Sequence, residues 1–347
     1  MFGKKLRLSA LGATAIVLTV PSLAAADTIS ITESAPFPSP AAGPCEIHFD
    51  SSGIGWVEEI TANKIGRYDP ATGAITEVPV PTPLSVPGGE AIGTDGGVWF
   101  TEVSANKIAR LDPGTQQIEE YTIPIPGALG SVQLPTGAAA SDAIEAGPDN
   151  AMWFTEIGNN AIGRIDLATH AITSYPIPTP LAGPIIVHRG PGSTMIFPEA
   201  TAGKVGQIDI YTHQFTEYTV PSPASAPQGV TTAEDGTIWF TETGTGNIGQ
   251  INPETRQVAE WSLAAPANLF LPRPGPLVFG SEGKIYVAEG NLDGGTNIGQ
   301  FDPVTHAYRD FPIPTPAASP CDLNAHGGSV YFGELLGNRI GRLTIGS

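Results

Sequence analysis

Seven times along this chain a large apolar residue is followed three positions later by glutamate. The pairs are Trp56 and Glu59, Trp99 and Glu102, Trp153 and Glu156, Ile196 and Glu199, Trp239 and Glu242, Tyr286 and Glu289, Tyr331 and Glu334. Successive copies are 43, 54, 43, 43, 47 and 45 residues apart. Residues 234–263, EDGTIWFTETGTGNIGQINPETRQVAEWSL, show the unit: an acidic-glycine turn, a short apolar run ending in Glu242, a Gly/Asn loop, Ile248 to Ile251, a turn at Asn252-Pro253 and a last run to Leu263. Short runs divided by turn residues read as β-hairpins, not helices. Four short strands per copy and seven copies predict an all-β, seven-bladed β-propeller. The 42 glycines and 34 prolines recur in register with the repeat, so they mark turns and not disorder.

The ring needs closing, and the sequence offers a closure. Residues 28–38, TISITESAPFP, resemble the fourth strand of other copies, such as SYPIPTP from Ser174 and DFPIPTP from Asp310, while the seventh copy stops after its third strand. The N-terminal strand is therefore expected to complete the last blade and remove the exposed edges. Each first strand (a) begins after proline: Pro44, Pro87, Pro184, Pro227, Pro274, Pro320. Up-and-down winding then puts the a-starts and the loops between the second and third strands (b and c) on one face. Insertions at 127–140, 265–273 and 290–296 fall on that face, where variable loops carry sites. Leu269, Phe270 and Leu271 are expected to line an apolar ligand pocket there or to tuck over their blade.

Residues 1–26 read as a signal peptide: basic Lys4, Lys5 and Arg7, an apolar stretch, then Ala24-Ala25-Ala26. The expected mature chain, 27–347, is one propeller domain, secreted or periplasmic and monomeric. Its formal charge follows from −18 for the whole chain less the three basic residues of the leader, about −21. Such a balance argues against nucleic acid or an anionic membrane as partner.

Candidate chemistry gathers at the channel mouth. Glu46, Glu90, Asp142 and Asp322 are expected around it, where clustered carboxylates can hold Mg2+ or Ca2+, or one can act as a base. Cys45 and Cys321 follow proline at the same strand position in blades one and seven. They form a disulfide across the seam if their Cα atoms lie within about 7 Å, and otherwise leave two thiols at the mouth. His170, His213 and His306 repeat one turn position, which marks them as structural. His48 and His188 share a register within strand a, where packing or a buried hydrogen bond is expected, and His326 in a Gly-rich turn reads as exposed on the far face. A residue used in every blade serves every blade, so the repeating Glu is expected to bind backbone or the neighbouring Arg67, Arg110, Arg164 and Arg342, with Gln207, Gln250 and Gln300 as neutral counterparts.

WFTEVSANKIARLDP at Trp99, WFTEIGNNAIGRIDL at Trp153 and WFTETGTGNIGQINP at Trp239 resemble the repeat of the streptogramin B lyase (virginiamycin B lyase) family, and the resemblance covers 28–347. It implies a seven-bladed propeller and a metal-assisted elimination, in which Mg2+ holds the substrate ester and a His base removes a proton so that a C–O bond of a cyclic depsipeptide breaks. The implied residues are a His after the strand-a proline in each of the last two blades, a Glu before the last of those prolines and a Glu just past the repeating one. Here those positions hold Gly275, Cys321, Ser319 and Leu335. The expectation is a degenerate lyase site that binds a small molecule, cyclic peptide or cell-wall fragment at the mouth. The alternatives are an active C–O lyase or metal-dependent lactonase built on the carboxylates, a cyclase that holds an apolar substrate in shape, or a scaffold for protein partners.

Overall fold

The computed structural model describes residues 28–133, 139–141, 143–263, 273–290 and 295–346. Seven four-stranded antiparallel sheets form the blades, each running a-b-c-d from the channel outward. Blade one shows the plan with strands Pro44–Phe49, Gly55–Glu59, Lys64–Asp69 and Ala74–Pro79. Strand b is buried at every position in six of the seven blades and nearly so in the fourth, because its sheet is packed on both faces by neighbouring blades. That is why the copies read as unbroken apolar runs there rather than as alternating strands.

The last blade is closed as expected. Thr28–Glu33 pairs antiparallel with Arg339–Gly346, from Thr28 opposite Gly346 to Glu33 opposite Gly341. Across the same seam Cys45 and Cys321 are disulfide-bonded, with their Cα atoms 4.9 Å apart. Gly333 of blade seven makes room for this: a side chain there would collide with the carbonyl oxygen of Cys45.

The register corrects one expectation. Arg67, Arg110 and Arg164 stand opposite Trp56, Trp99 and Trp153, not opposite the repeating Glu. Two of them bind the acid of the a–b turn that also accepts the indole N–H. Arg110 Nε is 2.6 Å from Asp95, and Arg164 Nε is 2.7 Å from Asp149. The repeating Glu turns instead toward strand d of its own blade. There Glu77, Glu120 and Glu217 each accept from a strand-c lysine and from the backbone N–H of Ser39, Thr82 and Thr179 in the preceding blade. With those donors taken, a buried ionised Glu59 would have nothing to accept from; protonated, it can donate to Glu77. Burial, then the charge of the neighbouring carboxylate, pushes Glu59 and Glu199 up to about 8 and Glu102 to about 7.

His170, His213 and His306 are structural, as expected. Each has positive φ at the c–d turn and packs its ring against an aromatic side chain of the preceding blade: Tyr121, Tyr175 and Trp261. His326 differs from its expectation of exposure. It is half-buried, lying flat on Phe49 with ring centroids 4.1 Å apart.

Candidate functional site

Strand a lines the channel, and its repeat can be read position by position. In six blades the residue opposite the second of the apolar pair in strand b is Ile47, Glu90, Ile144, Val230, Leu277 or Leu323. Glu90 is the departure: a fully buried carboxylate where the other blades pack an aliphatic side chain. Strand b departs beside it. In blades two, three and five a threonine (Thr101, Thr155, Thr241) accepts the backbone N–H of Gly89, Ala143 or Gly229 and holds strand a at its bulge. Blade one puts Glu58 there, and its Oε1 accepts the Glu46 N–H at 2.8 Å.

The two departures meet at the seam of blades one and two. Glu46 Oε2 accepts the Glu90 N–H at 3.0 Å, and His48 Nδ1 lies 3.0 Å from Glu90 Oε1. Glu46 and His48 are half-buried on the channel wall, while Glu58 and Glu90 lie behind them with no exposure. Glu58 Oε2 and Glu90 Oε2 have no hydrogen-bond partner among the described residues. The group continues around the channel through Glu145, 3.4 Å from His188 Nδ1, and through Asp322, whose charge acts on Glu46 and Glu90.

Electrostatics follow from this crowding. Burial, then neighbouring carboxylates, raises Glu46 and Glu58 well above the ordinary carboxylate range. Burial raises Glu90 and Asp322 as well, against the pull of the histidines. Burial by itself would depress the His48 imidazolium, but Glu90, Glu145 and Glu46 push it up to about 10. Glu145 goes the other way: burial opposes ionisation, yet the hydrogen bond and charge of His188 hold the carboxyl below its usual range. The wall therefore sets an imidazole of raised proton affinity against carboxyl groups whose proton affinity is mostly raised as well, a set able to donate, accept and exchange protons.

Of the expected mouth residues, the structure brings Glu46, Glu90 and Asp322 together. Asp142, Leu269, Phe270 and Leu271 lie outside the described residues. Sequence reading missed Glu58 and Glu145 and set His48 and His188 aside as packing or hydrogen-bonded groups. His48 does make a hydrogen bond, but to a carboxylate in the channel wall. The signal was present: a copy-by-copy comparison sets Glu58 against Thr101, Thr155, Pro198, Thr241, Ala288 and Gly333, none of them acidic, and Glu90 against aliphatics.

At the positions of the implied lyase residues the chemistry differs. Cys321 is committed to its disulfide, Gly275 has no side chain, Ser319 is fully buried, and Leu335 carries no donor. Among the described residues no three His, Cys, Asp or Glu side chains converge as metal ligands. Gly275, Ser319, Cys321 and Leu335, the described residues at those four positions, do not fit a Mg2+ ion.

Fold and site together define a seven-bladed propeller with an acid-lined channel. The chain belongs to the virginiamycin B lyase family, whose sequence profile matches residues 20–293 and 211–347. It is similar to virginiamycin B lyase from Staphylococcus aureus, at 29% identity and TM-score 0.77 over 91% of this chain and 99% of that one. A streptogramin B lyase structure is similar at 28% and 0.78, over 91% and 98%. So is a catalytically inactive histidine-to-alanine variant of the S. aureus enzyme with quinupristin, at 28% and 0.77 over 91% and 99%. No curated protein sequence matches.

Proposed function

We propose that this protein is a binding member of its lyase family, with a degenerate lyase mouth and a channel that takes a small molecule or peptide bearing a protonated amine. The observation that carries this reading is the exchange of chemistry around the ring. The relative's inactive form is a histidine variant, whereas the matching positions here hold Gly275 and the disulfide-bonded Cys321. The titratable groups lie instead on blades one to four and seven, with Glu46 and Asp322 on the channel wall and Glu58 and Glu90 behind. Carboxyl groups packed this closely share protons and repel one another. An ammonium group among them donates hydrogen bonds to the carboxylate oxygens and relieves that repulsion.

The His48–Glu90 pair favours one second reading. A channel imidazole next to carboxyl groups could transfer protons in a metal-free C–O elimination, and this would make the protein an enzyme. One experiment separates the two. The full chain is titrated with spermidine by calorimetry and, separately, incubated with quinupristin while the linear product, an isomer of the same mass, is followed by chromatography and fragmentation. Binding that weakens at least tenfold in a Glu46→Gln/Asp322→Asn variant, with no linear product, supports the binding reading. Absence of spermidine binding overturns the cationic ligand. Linear product that disappears in His48→Ala replaces the binding reading with the enzymatic one.

A further inference from the structure

On the face opposite the channel mouth, three seams between blades are filled in one way. An aromatic residue of strand b stacks on one of strand d, and the next blade's turn histidine closes the stack. The stacks are Trp99–Tyr121–His170, Trp153–Tyr175–His213 and Trp239–Trp261–His306, with ring centroids 4.2–5.7 Å apart from neighbour to neighbour. In blades two and three the a–b turn acid, Asp95 or Asp149, locks the indole and the strand-c arginine together.

At the seam of blades four and five all of this filling except the strand-d aromatic, Tyr218, changes at once. Ile196 replaces the indole, Gly192 replaces the turn acid, Gln207 replaces the arginine and Arg256 replaces the histidine. The result is an open cleft of about 590 Å3, bounded by the a–b turns of both blades and the c–d turn of blade five. This lies within the ~300–1,000 Å3 of small-molecule sites. A second cleft of about 500 Å3 shares Thr237 and Asn252 with it and continues past Gln250 and Gln257 along blade five.

The walls select a chemistry. The floor is a fixed neutral chain: the Tyr218 hydroxyl donates to Gln207 Oε1 at 2.8 Å, and Gln207 Nε2 donates to Thr194 at 2.9 Å. Asn252 spends its Oδ1 on the N–H groups of Glu254 and Thr255, and its own N–H2 group donates to no described residue. The Arg256 guanidinium lies over the Tyr218 ring, 5.9 Å from its centroid, and has no ion pair among the described residues. An anion would meet Asp235 and Glu254, a cation would meet Arg256, and an apolar ligand would find only Pro191, Pro253 and the Tyr218 ring in a mostly polar lining. A ligand rich in hydroxyls satisfies amide, hydroxyl, guanidinium and carboxylate together. The continuation into the second cleft suits a chain of such units.

We propose that the groove across blades four and five is a binding site for a neutral oligosaccharide, separate from the channel. The test titrates the full chain with three tetrasaccharides (cellotetraose, maltotetraose and the β-linked N-acetylglucosamine tetramer) by NMR. Two variants are compared. One, Ile196→Trp/Gln207→Arg/Arg256→His, restores the filling of the neighbouring seams. The other, Gln250→Ala/Gln257→Ala, strips two amides from the outer strands and remains informative if the first misfolds. At least one tetrasaccharide is expected to bind the wild type, at least tenfold more weakly to the restored seam and several-fold more weakly to the amide variant, with Glu46→Gln unchanged. Absence of binding by all three sugars, or binding indifferent to the variants that fold, overturns the proposal.

Discussion

Two sets of buried glutamates teach opposite lessons. The first set repeats: Glu59, Glu102, Glu199, Glu242 and Glu334 each lie against a strand-d carboxylate of the same sheet, and burial together with that neighbour raises them all to about 7 or 8. Glu156 tests the rule within one molecule. Its strand-d neighbour is Ser174, whose hydroxyl donates to it at 2.7 Å, so burial raises it without help from a second acid. The second set, Glu58 and Glu90, occurs once, at positions where the other blades do without a carboxylate. A repeated acid holds blades together. An unrepeated one lies behind the channel wall, and on the reading proposed above it serves the ligand there.

Substitution can break this comparison in either direction. The largest effect is expected from Glu199→Leu, which removes the partner of Glu217 from a fully buried position. It should lower unfolding free energy by roughly 2–3 kcal/mol in urea titrations. The reverse is expected from Glu58→Thr/Glu90→Leu, which gives blades one and two the residues of their neighbours. Replacing a buried ionisable group together with its partner is often stabilising by about 1–4 kcal/mol, so with His48→Ala included to remove the partner of Glu90 the urea midpoint should hold or rise. A clear fall would show that these two acids are structural after all.

The smallest effect sharpens the first half. The repeating acids are raised in the folded state, so between about pH 4.5 and about pH 8 the folded chain binds more protons than the unfolded one. Stability must then fall as pH rises through that window and level off above it. Glu199→Gln keeps a donor for Glu217 and cannot ionise, so its urea midpoint should decline less steeply from about pH 6 to about pH 8 than that of the wild type. An identical slope would remove Glu199 from the account.

Much of the fold was legible because it repeats. A seven-fold count, a stranded fourth strand at the N-terminus and two cysteines in matching register each point to a ring, and the sheet order and disulfide agree with that reading. What repeats in sequence does not declare its partner, however. The arginines looked like mates of the repeating Glu until the register put them opposite tryptophan, three residues away along strand b. The candidate site was legible only in pieces. Glu46, Glu90 and Asp322 could be put at the mouth from strand position, but Glu58 reads as one of two adjacent acids in Val57-Glu58-Glu59. Comparison with the other copies sets it apart, and its bond to the Glu46 N–H gives it a place in the site.

The closing sheet has a consequence in time as well as in space. Blades one to six are each drawn from one continuous stretch of chain, so their hairpins can form from local contacts. The sheet that joins Thr28–Glu33 to Arg339–Gly346 brings together strands some 310 residues apart, and non-local pairing is slow. Blade seven is therefore the late step in folding. Until it forms, blades one and six present unpacked faces, and the Cys45–Cys321 bond has no geometry to capture. Oxidation of that pair reports on completion of the whole ring, which makes the disulfide a timer for the last event as much as a brace for the finished molecule.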